Sequence, residues 1–487
     1  MKVFFVEPPH KIWEFFRGHT PAPGMTYVAT YVEKAFDVKY IDATSGLERP
    51  WADLDKIIRE EKPDVVGLTS VATCFCYDAL NAAHLIKLID PSITVVSGGS
   101  MMSFTAEQNL RSGYIDFVIT GEGEITTEEL LKAIERSKNG EQVDYSSIQG
   151  IAYLSDGKVM LTKPRPFIED IDSIPMPNYD LLPMDKFSLP IIGKNAFVIS
   201  TSRGCGGNCS FCSEAKFWNN KWRGNSAKYI VDHMELISKK YGKSTIMFGD
   251  NDFLWDPQRN EEFCKELEKR KLRDVRFWIQ ANPNKVVENK KLLPWLKKLG
   301  LFQVMMGTES MSKEKLKHLR KAAGLETQIE AMKAIKDSGV ILMTMMMWGD
   351  WDDDKQSLID TWKFYNKYAD AYPLTAMTPF PGTDYYKEAE KKGIIADKDF
   401  SNFTMVNVVM PTKHLSYEEA KKTYVWGLAR YFIHWSVLRD AFFSKNPFLR
   451  YQQRTYIKLG MSNILGRKWK QKNYMPFENY MVSRKVL

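Results

Sequence analysis

Short apolar runs of strand composition, each followed by a stretch of helix length, recur in two successive regions of this 487-residue chain. That alternation constrains the fold strongly, because parallel strands can be joined only by a crossover and a helix usually provides it. Within residues 1–165, strands are expected at 3–6, 38–41, 65–69, 94–97 and 117–119. Helices are expected at 25–35, 51–61, 77–89 and 127–137. The fold class is therefore α/β, beginning with a doubly wound, Rossmann-like parallel sheet. In such sheets ligands lie outside the carboxyl ends of the strands. Three of those ends are rich in small residues: Thr69-Ser70-Val71-Ala72-Thr73, Ser97-Gly98-Gly99-Ser100 and Thr120-Gly121-Glu122-Gly123-Glu124. One glycine pair reads as an ordinary turn, whereas three small segments at corresponding ends read as a surface for a flat ligand.

Ser155-Asp156-Gly157-Lys158 between two apolar runs signals a β-hairpin. Residues 166–194 are rich in Pro and Asp and read as an interdomain linker. A second alternating region, 195–390, has strand candidates at 197–201, 245–248, 276–280, 303–306, 341–347 and 374–379. Six βα units suggest a partial (β/α)6 barrel with its active residues at the C-terminal strand ends. The run Met343-Thr344-Met345-Met346-Met347 reads as a buried strand of that barrel. Residues 391–487 are helix-rich. Tyr424, Leu428, Tyr431, Trp435, Leu438 and Phe442 recur there at helical spacing, as on one amphipathic helix packed against the barrel or, alternatively, on a membrane surface.

A chain of this length exceeds one hydrophobic core. The net charge of +8, from 68 basic and 60 acidic residues, is too small over this length to point to nucleic acid. Six cysteines are too few for a disulfide scaffold, no signal-peptide core develops, and residues 340–348 are too short an apolar run to span a bilayer. A cytoplasmic protein without a membrane span is expected.

The chemistry concentrates in Cys205-Gly206-Gly207-Asn208-Cys209-Ser210-Phe211-Cys212, a C-x3-C-x2-C loop after the strand candidate at 197–201. Three thiolates on a curved loop can each face a different iron of a 4Fe-4S cluster. Structural zinc would want four ligands, usually as two separated pairs. With three protein ligands one iron stays open, and Phe211 is placed to stack on a ring bound there. His233, His318 and His434 sit in helix-like sequence and read as packed or solvent-facing.

This loop, with an aromatic residue before its last cysteine, resembles the radical S-adenosylmethionine (SAM) superfamily over residues 195–385. The resemblance implies that SAM chelates the open iron and is cleaved by an electron from the cluster to a 5′-deoxyadenosyl radical. It further implies SAM contacts from Phe211, Asp250 in Gly249-Asp250-Asn251-Asp252, Gln280 (with Asn282 beside it) and Glu309 in Gly307-Thr308-Glu309-Ser310. Trp348-Gly349-Asp350-Trp351 departs from the family's usual sequence after the fifth strand, while Thr378-Pro379-Phe380-Pro381-Gly382-Thr383 resembles its closing motif.

Upstream, Pro8-Pro9, Pro23-Gly24-Met25, Gly98-Gly99 and Gly121-Glu122-Gly123-Glu124 are similar to the cobalamin-binding domains that precede some radical SAM domains. That likeness implies cobalamin contacts from Thr69, Ser70, Cys76, Tyr77, Ser97, Gly98, Gly99, Gly121, Glu122 and Gly123. D-x-H-x-x-G is absent, so no His is expected below cobalt, and residues 70–77 would cover that face. The implied activity is methylation of an unactivated carbon. One SAM serves as radical source and a second as methyl donor through methylcobalamin. The substrate would be a small molecule or a peptide or protein side chain, for example in methyl-coenzyme M reductase. A ferredoxin- or flavodoxin-like one-electron reductant would serve as partner. The alternatives are an oxygen-independent cyclase or mutase of a tetrapyrrole or natural product, and a cobalamin-binding sensor. No catalytic acid or base is assigned.

Overall fold

The structure is a computed structural model and describes residues 1–10, 20–70, 72–189, 193–432 and 434–464. Val71 and the residues after 464 lie outside these ranges. The strands are β1 (Lys2–Glu7), β2 (Asp37–Asp42), β3 (Val65–Thr69), β4 (Thr94–Gly98), β5 (Phe117–Ile119), β6 (Ile151–Ser155) and β7 (Lys158–Leu161). They form one sheet of order β2-β1-β3-β4-β5-β6-β7. Alternation along β1 builds both faces. Val3 and Phe5 pack with Met25, Ala29, Leu130 and Ile134, from the helices Pro23–Val32 and Glu124–Lys138. Phe4 and Val6 pack with Trp51, Leu54, Leu80 and Leu85, from the helices Pro50–Glu61 and Cys76–Ile89. The first five strands are parallel, and β2 and β3 flank β1, so the topological switch lies beside β1. The hairpin forms with Ser155 opposite Lys158, and it extends the sheet because β6 pairs antiparallel with β5.

The Pro-rich stretch is an ordered strap rather than a free connection. Its Asn178 amide donates to Glu33 Oε2 at 2.9 Å, and its backbone N–H donates to Thr30 Oγ1 at 2.8 Å. On the other side, Tyr179 Oη lies 2.8 Å from His233 Nε2 on the helix Ala227–Tyr241. Two short ribbons follow, β8 (Ser188–Leu189) with β9 (Gly193–Lys194), and β11 (Ser202–Arg203) with β12 (Arg223–Gly224).

The second large sheet runs in sequence order: β10 (Ala196–Ile199), β13 (Ser244–Phe248), β14 (Val275–Ala281), β15 (Leu301–Glu309), β16 (Ile341–Trp348) and β17 (Leu374–Ala376). All pairs are parallel, and β10 and β17 remain unpaired edges, which makes an open half-barrel. β16 is buried along nearly its whole length, as the methionine run predicts.

The tail departs from a single helix. It breaks into helices Tyr417–Phe432, Trp435–Phe443 and Pro447–Ile464, with His434 capping the second. Tyr424 and Tyr431 are buried, whereas Trp435 and Phe442 are exposed. The last helix buries Gln452 and Gln453 against the half-barrel: Gln453 Nε2 donates to Asp370 O at 2.7 Å. Among the described residues, no helix is long and apolar enough to cross a membrane.

Candidate active site

A cavity of ≈ 270 Å³ opens where the carboxyl ends of the first sheet meet the start of the half-barrel. Thr69 from β3, Ser97 and Gly98 from β4, Gly99 just after it, and Gly121 to Glu124 after β5 form one wall. Ser202, Arg203, Gly204, Gly249 and Asn251 form the opposite wall. An apolar arm reaches into the sheet between Val3, Phe5, Val65, Val96, Leu130 and Leu131. Gly99 has φ +98°, and a Cβ there would sit 3.2 Å from Thr69 Oγ1, so backbone itself forms the wall.

The hydroxyls of Ser97, Thr127 and Ser202 belong to cavity-lining residues and are buried without a hydrogen-bond partner. Buried hydroxyls are normally paired. Unfilled hydroxyls beside an apolar arm suit the edge of a ligand with a polar rim and an apolar body, such as cobalamin. Seven of the predicted cobalamin residues line it: Thr69, Ser97, Gly98, Gly99, Gly121, Glu122 and Gly123. Ser70, Cys76 and Tyr77 do not. The Ser70 hydroxyl donates to Ala72 O at 2.7 Å. Cys76 and Tyr77 are buried at the start of the helix Cys76–Ile89, where their apolar surface packs in the core on the sheet's other face.

Glu122 and Glu124 are nearly inaccessible and grip the other unit. Arg203 Nη1 donates to Glu122 Oε1 at 2.7 Å and to Glu124 Oε2 at 3.2 Å. Arg223 Nη1 donates to Glu122 Oε2 at 3.0 Å, and the Ile168 N–H of the strap reaches the same oxygen at 2.7 Å. Burial opposes the charge on Arg203, yet Glu124 and Glu122 together hold its pKa above the ordinary arginine value. Arg203 stands two residues before Cys205. The N-terminal sheet therefore grips the stem of the cysteine loop directly.

Cys205, Cys209 and Cys212 are free thiols of intermediate exposure on one loop. Trp255 covers Gly206 so closely that a Cβ there would lie 2.1 Å from the indole. Burial pushes all three thiols up, Cys212 to about 12, so burial by itself favours the neutral thiols and a bound cation centre would favour the thiolates. Among the described residues, no three His, Cys, Asp or Glu side chains converge on one ion. Three thiols spread along a glycine-rich loop fit a cluster, in which each thiolate takes a different iron.

Lys321, buried, donates to Glu309 Oε1 at 3.1 Å. Burial opposes its charge, and Glu309, Cys209 and Cys205 nonetheless raise its pKa. Glu309 itself adopts φ +64° at the end of β15. Phe211 packs beside Leu319, Met347, Met377, Tyr385 and Met410. Gln280 is half-buried near the end of β14. Asn282 caps the helix Pro283–Glu288, accepting from Asn284 N at 3.1 Å.

Asp250 corrects the sequence reading. Its carboxylate accepts from Thr201 N at 2.6 Å, from the Thr201 hydroxyl and from Ser202 N at 3.0 Å, so it fastens the loop stem instead of facing the cavity. Two residues on, Asp252 is fully buried, and neither carboxylate oxygen has a hydrogen-bond partner. Burial raises its pKa to about 7. The backbone amides of Asn282 and Leu254 lie near enough to oppose that rise without reaching hydrogen-bond geometry. Asp252 does not line the cavity either, but its carboxylate, unlike that of Asp250, has both oxygens left to accept from a cation. Sequence reasoning passed over Asp252, Arg203, Glu124 and Lys321. The one available signal was the doubled acid in Gly121-Glu122-Gly123-Glu124 opposite an arginine beside the cysteine loop.

The chain matches the family models for the B12 binding domain over residues 14–131 and for the radical SAM superfamily over residues 199–361. It is 31% identical to an uncharacterized methyltransferase of Pyrococcus horikoshii, over 92% of this chain and 96% of that protein. It is 29% identical to the anaerobic magnesium-protoporphyrin IX monomethyl ester cyclase of Rubrivivax gelatinosus, over 91% of this chain and 79% of that protein. The cobalamin-dependent SAM radical enzyme OxsB shares its fold, with a TM-score of 0.72 at 18% identity over 96% of this chain and 72% of that one. The cofactors of this chain are cobalamin, a 4Fe-4S cluster and SAM. With these matches spread along nearly its whole length, the chain belongs to the cobalamin-dependent radical SAM family, which includes methyltransferases and magnesium-protoporphyrin ester cyclases.

Proposed function

We propose that the protein methylates an unactivated carbon, and one observation carries this reading: the strand ends of the cobalamin-type sheet and the stem of the cysteine loop wall the same cavity. When bound, the cluster supplies the electron that cleaves SAM, and cobalamin supplies a transferable methyl group. The residues of the chain provide placement. Cys205, Cys209 and Cys212 hold the cluster, and Asp252 takes the SAM ammonium. Glu309 with Lys321, together with Phe211 and Gln280, completes the SAM side. Thr69, Ser97, Gly98, Gly99, Gly121 and Gly123 border the corrin, with Glu122 joining the two halves.

The test is anaerobic incubation with SAM, a reductant and a candidate substrate, counting two products. A peptide, including one from methyl-coenzyme M reductase, and a tetrapyrrole are offered in parallel. Equal 5′-deoxyadenosine and S-adenosylhomocysteine support methyl transfer. Deoxyadenosine without S-adenosylhomocysteine favours the second reading, a tetrapyrrole cyclase, which the 29% identity to the Rubrivivax enzyme supports.

A further inference from the structure

Among the described residues, the exposed Trp, Phe and Tyr side chains all lie on the two helices Trp435–Phe443 and Pro447–Ile464. On the first, Val437 and Ala441 are buried, while Trp435, Phe442 and Phe443 are 69%, 60% and 75% exposed. These three positions fall within about 100° of the helix circumference. On the second, Tyr451, Arg454, Lys458 and Met461 are exposed at intervals of three and four residues, which makes one stripe, with Gln452, Gln453 and Tyr456 buried opposite. The two faces join at Arg454. Its Nε donates to Ala441 O at 2.8 Å, and its guanidinium lies 5.8 Å from the centre of the Phe442 ring. A lone exposed apolar residue needs no explanation, but a contiguous aromatic patch marks a contact surface.

Charge says what covers it. Residues 441–487 hold ten Lys or Arg and one acid, Glu478, while the whole chain carries a net +8, so residues 1–440 are close to neutral. The one acid on the two helices, Asp440, is paired with Arg439 at 2.9 Å. Asp370, whose carbonyl holds Gln453, has its carboxylate on Leu342 N at 2.8 Å and on Lys336 at 3.4 Å. Arg276 lies over the ring of Phe448. Glu418 and Glu419 stand in the first turn of the helix Tyr417–Phe432, about 20 Å along it from Phe432. Residues 465–487 are themselves basic, and a second copy would present the same cations, so neither complements the face.

We infer that these two helices rest on an anionic lipid surface, with Trp435, Phe442, Phe443 and Met461 entering the headgroup boundary and Lys445, Arg454 and Lys458 meeting lipid phosphates. Aromatic rings interleaved with basic side chains suit that boundary, because rings lie at the acyl edge while cations stay with the headgroups. Attachment sums two contributions, the apolar area buried and the attraction to anionic headgroups. The chain touches the membrane without crossing it, and the inference is separate from the reading of the cofactors.

The experiment is co-sedimentation of the whole protein with vesicles of mixed phosphatidylcholine and phosphatidylglycerol, against vesicles of phosphatidylcholine alone. The wild type should bind the mixed vesicles about tenfold more tightly than the neutral ones, and less tightly as ionic strength rises. The triple variant Trp435→Ser, Phe442→Ser, Phe443→Ser should bind the mixed vesicles about tenfold more weakly, and so should Lys445→Glu, Lys458→Glu. All five substituted side chains are exposed. A wild type that binds neither vesicle, or both equally, overturns the anionic surface. Variants that bind as the wild type does overturn the docking face and leave attachment to the charge of residues 465–487. A wild type that dimerises without lipid, where the triple variant stays monomeric, assigns the face to a second copy and overturns it as well.

Discussion

At Asp252 both carboxylate oxygens are buried without a partner, whereas Asp250, two residues earlier, has its oxygens filled by Thr201 and Ser202. Their substitutions should therefore separate binding from folding. Asp252→Asn removes a buried carboxylate whose oxygens have no hydrogen-bond partner and should leave thermal stability equal or higher. It should also weaken SAM binding by about 10–100-fold, the loss of one charged hydrogen bond of about 1.5–3 kcal/mol, read by calorimetry. Asp250→Asn strips the charge facing the buried Arg259 and should cost about 3–5 kcal/mol of unfolding free energy. Equal effects of the two on SAM affinity would remove the assignment. Gly206→Ala drives a methyl group into Trp255, and about 1–3 kcal/mol of overpacking should lower the iron content per chain after anaerobic reconstitution. The thiol triad was legible in the sequence because its spacing is local. Asp252 was not, since two acids in Gly249-Asp250-Asn251-Asp252 look alike until the fold fills one and buries the other unfilled.

Among the elements, the strands were readable from their apolar runs and the small residues that end them. The strap was not, because its hold comes from distant partners: Thr30 on one helix and Glu33 at its end, and His233 on another. Burial lowers the His233 pKa to about 3, against ~6.5 in an unfolded chain. Between those values the unfolded state binds a proton that the folded state excludes. Stability is therefore complete above pH ~6.5 and falls on acidification, by up to ~1.4 kcal/mol per pH unit from this group. Denaturant unfolding at pH 7 and pH 5 should show that slope in the wild type and a shallower one in His233→Gln; matching slopes would clear His233 of the role. The tail shows a second limit of pattern reading. Tyr424, Tyr431, Trp435 and Phe442 share helical spacing, but one helix ends at Phe432, another begins at Trp435, and only the first two of these residues are buried.

Across the whole molecule, the two units meet through the four-charge group of Arg203, Arg223, Glu122 and Glu124. No sequence spacing announces a contact between residues 81 positions apart. Glu122→Gln leaves Arg223 and part of Arg203 uncompensated in the interior and should cost about 3–5 kcal/mol in denaturant unfolding, with Arg203→Met showing strong non-additivity in the double variant. Simple additivity would mean that the two residues act separately. The central claim is that both cofactors face one cavity. Electron paramagnetic resonance of the reduced protein tests it most directly, comparing the cluster signal with and without bound cobalt(II) cobalamin. The shared cavity predicts a cluster spectrum split or broadened by the neighbouring cobalt spin; identical cluster spectra in the two samples would contradict it.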